Sequence, residues 1–217
     1  MGLDLIVESC PRSGHETEWR RIVERSFGHE ELTEQETTRF QQISIPAFER
    51  LDAPRVGYDP AANDWIASVR KAQTADEVAA VIKEFHGYFA IALVKSDGVP
   101  VYSHAGLGID VDETSFRGSF LSHCKSVLSK DLIAAAWEHR FPESAIEYGQ
   151  ALLAAARAAT ESGPQPARKK DFLAQMGLGF RARPANFTHE EQIEIVDAAG
   201  RWFVFWGERG HAIRADV

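Results

Sequence analysis

An apolar hairpin pattern in the middle of the chain constrains the fold most. Residues 88–95, YFAIALVK, are almost all apolar, the SDG that follows is typical of a tight turn, and VPVYSH continues as a second extended segment. A strand that is apolar on both faces must be covered on both, so the first strand should lie in the interior of a sheet. Pro100 favours an edge position for the returning strand, because proline cannot donate to a strand ladder.

Two further patterns predict strands at the ends of the chain. Leu3 to Glu8, LDLIVE, indicates an N-terminal strand. Near the other end, QIEIVDAAGRWFVFWG (192–207) predicts two strands around a turn at DAAG, because Ile193 and Ile195 alternate with polar residues and aromatic side chains fill the second half. We therefore expect a C-terminal hairpin, buried in the sheet or against a partner.

Helical patterns separate these strands. Apolar residues recur at helical spacing over 16–27, Pro60 after Asp59 favours a helix start, and the alanine-rich segment 131–160 predicts two helices separated near Pro142. Capping-box patterns begin two more helices, at Thr33 with Glu36 and at Thr74 with Glu77. Helical spacing also recurs from Phe120 to Leu128.

These elements predict an α+β protein in which helices cover a mainly antiparallel sheet formed by the N-terminal strand, the central hairpin and the C-terminal hairpin. Residues 1–217 should form a single domain, because the chain has a length that one core can serve. The composition of residues 161–170, ESGPQPARKK, is that of a surface loop, or of a linker if the chain were divided there.

Composition excludes several classes of function. The formal net charge of −8 and the lack of a basic cluster beyond Arg168, Lys169 and Lys170 argue against a nucleic-acid partner. No apolar run approaches the roughly 20 residues of a membrane span, so we expect no membrane partner. With only two cysteines and no apolar signal segment after Met1, a disulfide framework lacks support and a cytoplasmic location is the expectation.

The loop that follows the central hairpin concentrates groups that can bind or react. Two interpretations of it remain open: a metal site, with His104 or His123 also able to act as a base, or an ordinary acidic turn that caps the next helix. No known metal-binding motif supports the first interpretation. Nitrogen and carboxylate ligands for a divalent metal would come from His104, Asp110, Asp112, Glu113 and His123.

Arg117 and Ser119 form a candidate anion site. In FRGSF, Arg117 lies just before a predicted helix start, where its guanidinium and the free backbone N–H groups could together bind a small anionic ligand. The alternative is a structural arginine that joins the acidic loop to the helix through ion pairs.

Cys10 is a candidate nucleophile because it follows the first strand and precedes the first helix, whose N–H groups can lower a thiol pKa. His15 would be its base. The alternative is a small residue in a turn rich in proline and glycine. Cys124, at a core-facing helical position, is expected only to pack.

Two functional hypotheses follow. The first is a non-catalytic module that binds a ligand or self-associates, in which the C-terminal hairpin would form a homodimer through Phe203 and Phe205. Its pocket would be lined by tryptophans among Trp19, Trp65, Trp202 and Trp206, although all of these could simply fill the core. The second is a small metal-dependent or anion-processing hydrolase that uses the 104–124 loop.

Overall fold

The N-terminal strand is the centre of a three-stranded antiparallel sheet in the computed structural model, which describes residues 2–90, 93, 115–163 and 187–216. Strand β1 (Asp4–Val7) pairs on one side with β4 (Ser115–Phe116) and on the other with β5 (Ile213–Asp216). Side chains alternate across β1, so that Leu5 and Val7 face the core. The predicted N-terminal strand is therefore confirmed.

In the described part of the chain, a second sheet consists of two short antiparallel strands, β2 (Cys10–Pro11) and β3 (Ser44–Ile45). It fixes the start of the first helix next to the end of the second. The chain is α+β within the described residues, as the sequence predicts.

Eight α-helices lie in the described part of the chain, most of them where the sequence predicts them. Both predicted capping boxes are formed, with each threonine hydroxyl accepting from the glutamate N–H and each glutamate carboxylate accepting in return. A short 3₁₀ helix, Gly118–His123, lies at the start of the segment whose apolar residues recur at helical spacing in the sequence. The helices are α1 (Glu16–Phe27), α2 (Glu34–Ile43), α3 (Ala47–Arg50), α4 (Pro60–Val69), α5 (Ala75–Glu84), α6 (Lys130–Ala135), α7 (Pro142–Ser162) and α8 (His189–Glu208).

Helices α7 and α8 form a closely packed antiparallel pair against the inner face of the three-stranded sheet. A Cβ atom added at Gly149 would lie 2.8 Å from the carbonyl oxygen of Gly200, and one at Gly200 would lie 2.9 Å from that of Gly149. The two glycines therefore allow the backbones to approach more closely than any larger residue would permit. The core around this crossing includes Leu5, Phe116 and Trp202.

The predicted C-terminal hairpin is wrong: helix α8 spans this segment, and only β5 follows it. The polar stripe that runs from Glu194 through Asp197 to Arg201 is interrupted over residues 202–206, WFVFW, because α7 covers one side of the helix there and other core residues cover much of the rest. This half of the segment therefore has the pattern of a strand buried on both faces. Trp202, Phe203 and Trp206 are almost completely buried in the chain's own core. The predicted homodimer therefore cannot form through a hairpin at this segment, and a homodimer as such stays a prediction.

Two smaller apolar clusters lie beside the main core. One joins α1 and α2 to the residue before β5, through Trp19, Ile22, Ile43 and Ala212. The other lies within the α4–α5 pair, where Trp65 packs partly buried against Ile66 and its neighbours. The first cluster forms the base of the candidate site.

Several sequence predictions fall outside the described residues. The central hairpin lies there from residue 91 onward, apart from residue 93. Of the segment 161–170, helix α7 includes 161 and 162, Gly163 follows it with a positive φ of 66°, and 164–170 lie outside. The single domain stays a prediction. Every helix in the part of the chain that the structure describes is too short or too polar to cross a membrane.

Candidate functional site

A cleft of about 480 Å³ opens between the first turns of α1 and α7. We call it the α1–α7 cleft. Its volume is within the range of about 300–1,000 Å³ typical of small-molecule sites. Its lining residues come from four separate parts of the chain and are Pro11, Glu16, Thr17, Trp19, Arg20, Arg21, Glu24, Pro142, Glu143 and Gly210.

The floor of the cleft is apolar and held in place. Trp19 is only 3 % exposed, and its indole Nε1 donates to the carbonyl oxygen of Ser9 at 2.9 Å. The indole also meets the Phe141 ring edge to face, with ring centroids 6.1 Å apart. Pro11 lies in β2 and Pro142 is the first residue of α7, so short secondary-structure elements fix the floor on both sides.

Arg20 ties the two helices together at the rim. Its Nη1 donates to the Glu143 carboxylate, its Nε lies 3.5 Å from Glu24 Oε1, and its Cζ lies 4.0 Å from the centroid of the Phe141 ring. All these groups are partly exposed, so each contact stabilises the fold by well under about 1 kcal/mol. The Arg20 guanidinium is therefore already engaged by residues of this chain.

Two carboxylates of the rim are held in their ionised form. Hydrogen bonds from its own backbone N–H and from that of Gly14, the latter at 3.0 Å, lower the pKa of Glu16. Partial burial raises the pKa of Glu143, but hydrogen bonds from its own N–H and from Arg20 outweigh it, and the net shift is downward. Neither side chain is therefore suited to donate a proton near neutral pH.

Arg21 differs from the other arginines around α1. Arg20 is paired with Glu24 and Glu143, Arg25 with Glu30 and Glu36, and Arg39 with both carboxylate oxygens of Glu18 at 2.9 and 2.7 Å. Among the described residues, Arg21 has no hydrogen-bond or ion-pair partner, although its charge helps to lower the pKa of Glu18. It is exposed, and it lines both the α1–α7 cleft and a shallow groove between α1 and α2.

The predicted anion site at Arg117 and Ser119 is occupied by contacts within the chain. Arg117 Nη1 lies 3.1 Å from Asp4 Oδ1, and its Nε donates to Ser119 Oγ at 3.0 Å. The guanidinium thus joins β1 to the start of the 3₁₀ helix. This is a structural role, but the partner is Asp4 of β1 and not the acidic loop that the sequence suggested. Binding of an anion by Arg117 and Ser119 stays a prediction.

The predicted metal and catalytic residues of the loop are mostly beyond the described residues, namely His104, Asp110, Asp112 and Glu113. His123 ends the 3₁₀ helix, where its ring lies 6.2 Å from that of Phe187, centroid to centroid. No three side chains of the metal-binding types come together within residues 2–90, 115–163 and 187–216. The metal site and the hydrolase built on it stay predictions.

The two cysteines are free and buried. Cys10 is 1 % exposed in β2 rather than in a turn, so a reagent or substrate has little access to its thiol. Burial raises the pKa of Cys124 to about 12, which keeps this thiol protonated and unreactive. Neither thiol has the exposure that favours nucleophilic catalysis, and a catalytic role of Cys10 stays a prediction.

Of the tryptophans that the sequence offered as pocket residues, only Trp19 lines the α1–α7 cleft among the described residues. Trp202 and Trp206 fill the main core. Sequence reasoning missed Arg20, Arg21 and Glu143, although the starts of both helices were predicted. Their separation explains this, because Arg20 and Glu143 are 123 positions apart and no local pattern shows that they meet. Neither a family model, nor a curated protein, nor a solved structure gives a significant match to the chain.

Proposed function

We propose that the chain is a non-catalytic binding module whose α1–α7 cleft receives a small organic molecule. One observation carries the proposal: the cleft combines a volume of about 480 Å³ with an apolar floor and a charged rim. Small-molecule sites combine these features, because apolar walls supply affinity and a few polar groups orient the ligand. The ligand would be a molecule with an apolar ring or chain and an anionic group.

The floor supports the apolar part of this description. Pro11 and Pro142 are half-buried and present apolar surface to the cleft, while Trp19, which is 3 % exposed, mainly supports the floor. Removing one aromatic ring of a ligand from water contributes about 2 kcal/mol. The indole is already hydrogen-bonded to Ser9, so a ligand need not rearrange it. Preformed sites bind more tightly than flexible ones because little conformational freedom is lost on binding.

The chemistry of the lining supports binding rather than catalysis. The described lining offers glutamate, threonine and arginine as its reactive side-chain types. The lowered pKa values of Glu16 and Glu143 leave these carboxylates without a proton to donate near neutral pH and make them weak bases. Thr17 has no side-chain base bonded to its hydroxyl among the described residues.

A neutral fluorescent probe, phenylnaphthylamine, tests whether the cleft binds apolar rings. We expect saturable binding to the purified chain and about a ten-fold loss of affinity in Thr17→Trp, because the larger side chain fills the space that the probe would occupy. Thr38→Trp is the matched control. Thr38 is exposed on α2 and outside the lining, so this variant should bind the probe like the unaltered chain.

Both threonines are exposed, so neither substitution should disturb the core, and cooperative thermal unfolding of each variant verifies this. Equal affinity in the two variants would show that the probe binds elsewhere. That result, or a lack of saturable binding to any of the three proteins, would refute the proposal.

A further inference from the structure

We infer that Arg21 is the residue that selects an anionic ligand in the α1–α7 cleft, and that Arg20 is a positioning residue that holds the cleft together. This inference rests on the proposed function. It assigns the charge preference of the site to one side chain.

The ion pairs around α1 decide between the two neighbouring arginines. Arg20 is engaged by Glu24, Glu143 and the face of Phe141 at the rim. A ligand could recruit it only by displacing a carboxylate that is already in place. Competition of this kind leaves little net gain, since one charge-assisted contact replaces another.

Arg21 is available without such a loss. The closest candidate partner along the helix, Glu18, is bound by Arg39 through both carboxylate oxygens. The three glutamates of the lining also have partners: Glu16 accepts from Gly14 N–H, and the other two pair with Arg20. Among the charged side chains of the lining, Arg21 is thus the one without a hydrogen-bond or ion-pair partner in the described part of the chain.

The formal charges of the lining, two arginines against three glutamates, do not contradict this assignment. At physiological ionic strength charges are screened over about 8 Å, so contacts at hydrogen-bond distance outweigh the sum over the cleft. A guanidinium offers two parallel N–H donors to a carboxylate, sulfonate or phosphate. The ligand class is therefore an organic anion whose apolar part lies on the floor.

Two related probes separate the contribution of the ligand's charge to binding from that of its aromatic rings. Anilinonaphthalene sulfonate carries the same two aromatic groups as phenylnaphthylamine together with one sulfonate. We expect Arg21→Gln to raise the dissociation constant of the sulfonate probe about five-fold, as for a partly exposed ion pair, and to leave that of the neutral probe unchanged. Raising the salt concentration should reduce this difference.

Arg157→Gln is the matched control, because it removes the same charge from an exposed position in α7, outside the cleft lining. It should change neither constant. If Arg21→Gln leaves sulfonate binding unaltered while Thr17→Trp weakens both probes, the assignment of Arg21 is wrong and the cleft remains the binding site. If Thr17→Trp weakens neither probe, the proposed function itself fails.

Discussion

At the scale of single residues, His211 is the clearest case of a titratable group that folding holds in one protonation state. It is fully buried, its Nδ1 donates to the carbonyl oxygen of Glu8 at 2.6 Å, and its ring meets Trp206 edge to face. Burial lowers the pKa of His211 to about 4, and the charges of Arg50 and Arg209 act in the same direction. Nε2 has no hydrogen-bond partner among the described residues.

This environment predicts a loss of stability in acid. The unfolded chain takes up a proton at this histidine near its ordinary pKa, but the folded chain resists it until the lowered pKa of about 4. The free energy of unfolding should therefore fall as the pH drops, by about 2 kcal/mol between neutral pH and about pH 5 from this residue alone. Chemical denaturation at both pH values measures it.

His211→Asn isolates the effect, because an asparagine amide can still donate to Glu8 but does not titrate. The variant loses packing against Trp206 at every pH, so only the difference between the two pH values is compared. Glu8, Arg50 and Arg209 remain in both proteins, and the raised pKa of Glu8 cancels in the comparison. An acid sensitivity as large in His211→Asn as in the unaltered chain would contradict the assignment.

Arg117 shows what a sequence can say about one residue. The sequence offered an anion site or a structural ion pair, and the choice depended on a partner that it did not identify. That partner is Asp4, which lies 113 positions earlier and adjoins Arg117 only because β1 pairs with β4. The residue type predicted the chemistry, but the partner required the fold.

At the scale of elements, local sequence signals predicted where helices begin better than they predicted whether a segment is a helix or a strand. Thr33 and Thr74 begin α2 and α5 through capping boxes that are visible in the sequence. Thr188 and Glu191 form the same box at the start of α8, and this signal could have corrected the hairpin. The hairpin prediction rests instead on the aromatic residues of the second half, which favour strands unless tertiary packing overrides them.

The α7–α8 crossing gives a prediction opposite to helix propensity. Alanine in place of a glycine within a helix ordinarily stabilises by about 0.5–1 kcal/mol. Gly200→Ala should instead destabilise by about 2 kcal/mol, because its Cβ would lie 2.7 Å from Leu153 Cγ and 2.9 Å from the Gly149 carbonyl oxygen. Urea unfolding gives the value.

Gly28→Ala is the corresponding control at the end of α1. Gly28 has a φ of −77°, and its added Cβ would meet the Arg25 carbonyl oxygen at an ordinary 3.4 Å. This variant should stay within about 0.5 kcal/mol of the unaltered chain. A stabilised Gly200→Ala protein would mean that the helices do not cross closely at this point.

At the scale of the whole molecule, the candidate site is a product of long-range assembly. The cleft needs three parts of the chain to meet, namely β2 with the first turns of α1, the first turn of α7, and Gly210 after α8, and many residues separate each part from the next. A single sequence predicts where helices α1 and α7 begin but carries no signal that their first turns are neighbours. The α+β class was therefore predictable, and the site was not.

The most direct measurement of the central claim is amide hydrogen exchange of the intact chain with and without saturating anilinonaphthalene sulfonate. Binding in the α1–α7 cleft predicts slower exchange in the first two turns of α1 and the first turn of α7, with α4 and α5 unchanged. Protection confined to other elements, or no protection in α1 and α7, would contradict the claim that this cleft is the binding site.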